Sequence, residues 1–222
     1  MEIKLSQIIG IVGFIGSGKN TVAELIEKEY HFVRHSFANN LKDAISIIFG
    51  WDRALLEGDT TESRIWRDKV DSWWAARLNI PHLTPRFILQ NWGTDLCRLN
   101  FHNDIWIASL ENKIRSTSDN IVISDCRFSN EIQSIKNQGG IIVRVSRGKL
   151  PVWYDWAVEY NNADDASKFN MRAVATSQES AIKYGIHESE YSWIGHSYNY
   201  TIQNNGSLED LRAAIRKSII WD

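Results

Sequence analysis

Gly13-Phe14-Ile15-Gly16-Ser17-Gly18-Lys19 fits the pattern G-x-x-x-x-G-K, and no other stretch constrains the fold of this chain as tightly. Glycines let the backbone turn so that several N–H groups point inward. The helix that follows adds partial positive charge at its N-terminus, and together these cradle phosphate oxygens. The lysine then reaches the β- and γ-phosphates of a nucleoside triphosphate. With 13 glycines in 222 residues, roughly 0.04 matches arise by chance, so a mere glycine turn is a poor account of it. The flanks agree. Residues 8–14 are a continuous apolar, β-branched run, as in a strand buried on both faces, and Val22, Leu25 and Ile26 follow at helical spacing. Gly13, Ile15, Gly16, Ser17, Gly18, Lys19, Asn20 and Thr21 are therefore expected around the phosphates of ATP or a close analogue. One position departs from the pattern: the hydroxyl that normally follows the lysine and contacts Mg²⁺ is replaced by Asn20, with Thr21 after it. An amide oxygen can coordinate a hard cation or hold one of its waters. Mg²⁺ is expected with the triphosphate, through Asn20 or through an acid elsewhere.

The rest of the chain alternates between apolar strand-like runs (32–35, 120–125, 141–145, 198–202) and helical patterns (41–49, 63–78, 86–101, 105–114, 130–137, 207–219). That alternation, with strands apolar on both faces, predicts an α/β fold of three layers, α/β/α, around a parallel central sheet. Residues 52–62 read as loop, and 146–197 are polar, aromatic-rich and without clear period. A single domain over 1–222 is expected, with helices over 36–106 and an insertion over 147–190 serving as a lid. Ten tryptophans, from Trp51 to Trp221, should mostly pack in the core or between elements. Asp125 ends an apolar strand, where α/β enzymes place an acid toward metal or substrate, and Arg127 would point into the same crevice. On spacing alone, both are nearly as consistent with an ordinary surface loop.

Composition excludes several classes. A net charge of −2 gives no bulk attraction to nucleic acid, although six Arg and Lys against three Asp between Arg64 and Arg98 suit a small anionic ligand, or simply a solvated basic face. Two cysteines 29 positions apart, with no CxxC, argue against a zinc site or a disulfide framework. No apolar run nears the ~18 residues of a membrane span. Residues 1–5 lack the basic-then-apolar build of a signal peptide, so a cytoplasmic location is expected, away from membranes.

Several blocks resemble one family. Gly16-Ser17-Gly18-Lys19-Asn20-Thr21 is similar to the phosphate loop of the phage deoxynucleoside monophosphate kinases, a P-loop branch related to phosphomevalonate kinases. Phe37-Ala38-Asn39-Asn40-Leu41-Lys42-Asp43-Ala44 resembles its A-x-P-[LI]-K-D-A segment, with Asn40 replacing the proline. Arg86 through Leu96 resembles R-x-x-x-Q-x-x-G-T-D, Asp104-Ile105-Trp106 echoes a following tryptophan, and Asp125 through Glu131 resembles D-x-R-x-x-x-E. Ile202 through Glu209 resembles the closing I-x-N-x-G-[ST]-L-E. The blocks run over nearly the whole chain, but residues 52–62 and 147–185 match poorly.

The resemblance implies a P-loop kinase that moves the γ-phosphoryl of ATP to a deoxynucleoside monophosphate, with Mg²⁺, no nucleic-acid partner, and a possible homodimer. Carried over by position, Lys42, Arg86, Gly93, Thr94, Asp95, Trp106, Asp125, Arg127 and Glu131 would line the monophosphate site, with Arg64, or nearly as well Arg67, as a further arginine. Lys19, Arg86, Arg127 and Asp125 would be catalytic, Asp125 being the second candidate toward Mg²⁺. Arg144 or Arg147 would close from the lid over the γ-phosphate. Each has a plainer alternative: Trp106 as core, Glu131 as a helix-surface carboxylate, Thr94 and Asp95 as a hydrogen-bonding pair inside a helix. Rival activities are a kinase of another small acceptor, of dephospho-coenzyme A or phosphomevalonate type, and a nucleotide-binding module that transfers nothing.

Overall fold

The computed structural model describes residues 7–177 and 179–219. Residues 1–5 and Trp221 lie outside them. The described chain separates into two compact units, one running up to Ser36 and again from Ser118 onward, the other Phe37–Thr117.

The first unit is built on a five-stranded sheet of β1 (Ile8–Val12), β2 (Val33–His35), β3 (Ile121–Ile123), β4 (Ile141–Ser146) and β5 (Tyr200–Gln203), in the order β2-β3-β1-β4-β5. Every pairing is parallel, with Ile9 opposite Val122 on one side and Ile141 on the other. Central β1 is buried along its whole length, as its unbroken apolar run requires. On one face α1 (Lys19–Tyr30) and α10 (Leu208–Ser218) pack Val22, Ile26, Leu211 and Ile215 against Ile9, Ile11, Val143, Val145 and Ile202. On the other face, α7 (Ser129–Asn137) approaches so closely that a Cβ on Gly10 would lie 2.5 Å from Ile135 Cδ1. The result is three layers, α/β/α, around a parallel sheet.

The stretch 146–197 forms α8 (Tyr154–Asn162), α9 (Asp165–Ala173) and two 3-10 turns, Ala175–Ser177 and Glu188–Glu190. Several of its aromatics are structural: Trp156 stacks on Tyr160 at 4.8 Å, and both are buried. Helix α9 buries no residue. That uneven burial explains why the segment has no readable period.

The second unit is helical: α2 (Asn39–Phe49), α3 (Thr61–Arg67), α4 (Ser72–Leu78), α5 (Pro85–Gln90), a π-helix (Asn91–Leu99) and α6 (Ile105–Ile114). The expected helix over 63–78 is two helices, because Asp71 caps a new start. Its Oδ1 accepts from Trp74 N at 3.1 Å and its Oδ2 from Trp51 Nε1 at 2.8 Å. The expected helix over 86–101 widens to π geometry from Asn91, a form frequent at functional sites. Phe49, Trp51, Leu56, Leu83 and Ile88 form this unit's core, with Trp66, Trp74, Trp92 and Trp106 packed around it. Trp73 alone among the described tryptophans is largely exposed, at 63%. No helix among the described residues is long and apolar enough to cross a membrane.

Candidate active site

The phosphate loop lies between β1 and α1. Gly13 has φ +150°, and a Cβ there would sit 2.3 Å from the carbonyl oxygen of Val145, so only glycine lets the chain leave β1 pressed against β4. Gly18 has φ +98° and forms the N-cap of α1, whose first residue is Lys19. Lys19 Nζ donates to the carbonyls of Gly13 at 2.7 Å and Phe14 at 2.9 Å, which folds it back over the loop. Phe14 O also accepts from Ser17 N at 3.1 Å. Ser17 is 3% exposed, and its Oγ is a buried polar atom with no hydrogen-bond partner. Ile15 is exposed on the loop, and Asn20 and Thr21 are exposed in the first turn of α1.

Asn204, within the closing block, braces this loop. Its Nδ2 donates to Ser17 O at 2.8 Å, and its backbone N–H donates to Ser146 O at 2.8 Å. A Cβ on Gly18 would lie 2.2 Å from that Nδ2, so the second glycine is required by a close approach as well as by its φ.

Asp125 and Arg127 follow β3 at the carboxyl edge of the same sheet. Ser36 Oγ donates to Asp125 Oδ2 at 2.6 Å and fixes the carboxylate. Glu131 is not a surface carboxylate: it is 2% exposed, and its Oε2 accepts the backbone N–H of Arg127 at 2.8 Å and of Phe128 at 3.1 Å. It therefore shapes the turn that presents Arg127. The Arg127 guanidinium donates through Nη1 to Glu190 Oε1 at 2.5 Å, a partner the sequence did not suggest.

These charges bear on Lys19. Burial, then the Arg127 guanidinium, lower its pKa to about 8, while Glu190, Asp125 and Cys126 oppose that shift. The sign gives a prediction. Near pH 8.5 free Lys19 is mostly neutral, whereas bound phosphate favours the ammonium. ATP binding should then take up a proton from about pH 8 to 10 and take up none near pH 6.5 through this group. Calorimetry in two buffers of different ionisation enthalpy measures it, and Lys19→Met should abolish the uptake.

In the second unit, Lys42 Nζ donates to Glu57 Oε2 at 2.5 Å, and Glu57 also accepts from Arg53. Arg86 pairs with Asp68 through Nε and through Nη2, the latter at 3.2 Å. Arg64 is exposed and donates to the carbonyls of Gly58 and Asp59, both at 3.0 Å. Arg67 is half-buried against Gly58, its Nε has no partner, and burial together with neighbouring Arg86 lowers its pKa. Gly93, Thr94 and Asp95 lie on the π-helix; Trp106 Nε1 donates to Gly93 O at 2.9 Å, and Asn91 donates to Asp95 Oδ2 at 3.3 Å. Trp106 thus packs on the core and holds the π-helix at once.

Arg144 lies on β4 with its guanidinium over the rings of Tyr154, Trp193 and Tyr198 at 5.2, 6.0 and 5.7 Å. Arg147 follows β4 and is exposed. Among the described residues no group of three or more His, Cys, Asp or Glu side chains is arranged to hold a metal.

The deoxynucleotide monophosphate kinase family model matches residues 69–155, a span that includes Arg86, Gly93, Thr94, Asp95, Trp106, Asp125, Arg127 and Glu131. A protein of Acanthamoeba polyphaga mimivirus, provisionally named for that same activity, is 32% identical over 154 residues, covering 63% of this chain and 74% of the viral protein. Two solved structures resemble the chain more distantly. TT1252 from Thermus thermophilus matches at TM-score 0.42 and 17% identity, over 96% of both chains. The dephospho-CoA kinase from Campylobacter jejuni matches at 0.36 and 16%, over 96% of this chain and 95% of that one. Identity at the level seen with the mimivirus protein, over most of that protein's length, shows that this chain belongs to the deoxynucleotide monophosphate kinase family and is an ATP-dependent phosphotransferase.

Proposed function

We propose that the protein transfers the γ-phosphoryl group of ATP to a deoxynucleoside 5′-monophosphate, giving the diphosphate and ADP. The observation that carries this reading is the charge cluster within the first unit: Lys19 folded over a phosphate loop and electrostatically linked to Asp125 and Arg127 at the same sheet edge. An ATPase that only switches needs the loop; a second basic group beside it, in a block resembling the family's acceptor motif, points to a second phosphate.

The acceptor phosphate is already ionised, so little general-base work is required, and catalysis rests on positioning and charge neutralisation of a loose, in-line transition state. The loop N–H groups and Lys19 hold the transferring group. Arg127 takes the acceptor phosphate, where the guanidinium fork matches two oxygens. By the same resemblance Arg86 and Lys42 serve that ligand, with Arg64, or nearly as well Arg67, as a further arginine. Asp125, a hard oxygen donor fixed by Ser36, and the Asn20 amide fit Mg²⁺ or its waters. When bound, Mg²⁺ neutralises charge on the triphosphate. A coupled assay of ADP release, run without acceptor and with each deoxynucleoside monophosphate, tests the reading. Acceptor-dependent release is expected; release independent of any monophosphate, or only with a different phosphorylated acceptor, would overturn it.

A further inference from the structure

Glu190 joins the two halves of the chemistry within the first unit. It ends the 3-10 turn Glu188–Glu190 and is half-buried. Its carboxylate accepts from Arg127 Nη1, and its carbonyl accepts from Trp193 Nε1 at 3.0 Å. Trp193 is 1% exposed, and its ring meets Phe14 edge-on at 5.0 Å. Phe14 is a phosphate-loop residue whose own carbonyl holds Lys19 Nζ and Ser17 N. Trp153 and Tyr154 close the other sides of the Phe14 ring at 5.7 and 6.2 Å.

The segment is also pinned. Ser129 Oγ donates to Ser192 O at 3.2 Å, Lys136 Nζ donates to Ser197 O at 2.9 Å, and Tyr198 OH donates to Trp193 O at 2.9 Å. Part of the expected lid, around Glu190, is thereby built into the sheet's carboxyl edge and supports the loop from the side.

We propose that Glu190 is a positioning residue for phosphoryl transfer: its carboxylate aims Arg127 at the acceptor phosphate while its carbonyl seats Trp193 against the phosphate loop. Holding one Nη leaves the rest of the guanidinium fork to the phosphate, and a braced fork loses less freedom on binding. Glu190 itself touches neither reacting group, and the proposal rests on the reading of Arg127 given above.

The test is Glu190→Gln, which keeps the length and the backbone carbonyl but removes the charge. KM for the deoxynucleoside monophosphate should rise about tenfold, as for one weakened charge-assisted contact, while ATP affinity at pH 6.5, measured without acceptor, stays at the wild-type value. In an Arg127→Ala background the same substitution should add nothing to the acceptor KM. Glu190→Asp, which keeps the charge one methylene short, should fall between wild type and Glu190→Gln, and it carries the test if Glu190→Gln does not fold. An unchanged or lowered acceptor KM, additive effects with Arg127→Ala, or equal loss of ATP and acceptor binding with a lower Tm would each overturn the proposal. A wild-type enzyme that shows no monophosphate-dependent turnover instead overturns the assignment of function beneath it.

Discussion

Lys19→Met should abolish nearly all phosphoryl transfer while leaving the protein folded. The ammonium lies over the loop, donating to the carbonyls of Gly13 and Phe14, where it can follow charge as it develops on the transferring group. Removing one preorganised charged donor from a water-poor site costs about 3 to 4 kcal/mol of transition-state stabilisation, or roughly a hundred- to a thousandfold in turnover. Methionine keeps most of the methylene stem. Phe14 O retains its bond from Ser17 N, and α1 remains packed through Val22, Leu25 and Ile26. Tm should therefore stay close to wild type. It could even rise slightly, because the buried ammonium is itself disfavoured by its surroundings. Single-turnover rates with ATP and a deoxynucleoside monophosphate, alongside a thermal melt, provide the check. A folded Lys19→Met variant with near-normal turnover would remove the basis for placing ATP on this loop.

What made this lysine legible was local: a glycine pattern, a buried strand before it and an amphipathic helix after it, all within about two dozen residues. The parallel sheet was legible for the same reason, since Ile8–Val12 and Ile121–Ile123 are apolar on both faces and only a doubly covered sheet accommodates such strands. The breaks in the helical unit were not legible. Residues 63–78 carry a continuous helical pattern, and only the tertiary bond from Trp51 to Asp71 shows why the chain restarts there. The π-helix at Asn91–Leu99 likewise has no sequence signature, and the bond to its Gly93 O comes from Trp106, 13 positions away. Glu190 and Asn204 reach the loop region from the far end of the sequence, 63 positions from Arg127 in one case and 187 from Ser17 in the other. No periodicity encodes pairings of that kind. For Asn204 a signal did exist in the closing I-x-N-x-G block, but a role could be assigned only once its amide was seen against Ser17.

Arg86→Ala and Arg127→Ala should separate acceptor binding from ATP binding. If each arginine contacts the acceptor phosphate, each substitution raises KM for the monophosphate and lowers kcat/KM. One lost charge-assisted contact is worth about 1.5 to 3 kcal/mol, or roughly ten- to a hundredfold. ATP affinity without acceptor, measured at pH 6.5, should barely change. Lysine at either position should rescue only in part, because an ammonium restores the charge without the fork. The competing account is that these arginines brace the fold. In the simplest version they would pair with Asp125 or Glu131, yet Arg86 is bonded to Asp68 and Arg127 to Glu190. Glu131 is occupied instead by the backbone N–H groups of Arg127 and Phe128, which survive replacement of the side chain. The Arg86–Asp68 pair is exposed on both sides, and such pairs add little to stability. Arg127 is 39% exposed, so its loss leaves no cavity in the core. Both variants should accordingly melt near the wild-type temperature. Arg127 lowers the Lys19 pKa, so Arg127→Ala should raise that pKa and shift the proton uptake on ATP binding to higher pH. A lowered Tm with equal loss of ATP and acceptor affinity in both variants would return the two arginines to a structural role while leaving the phosphate loop and the kinase fold in place.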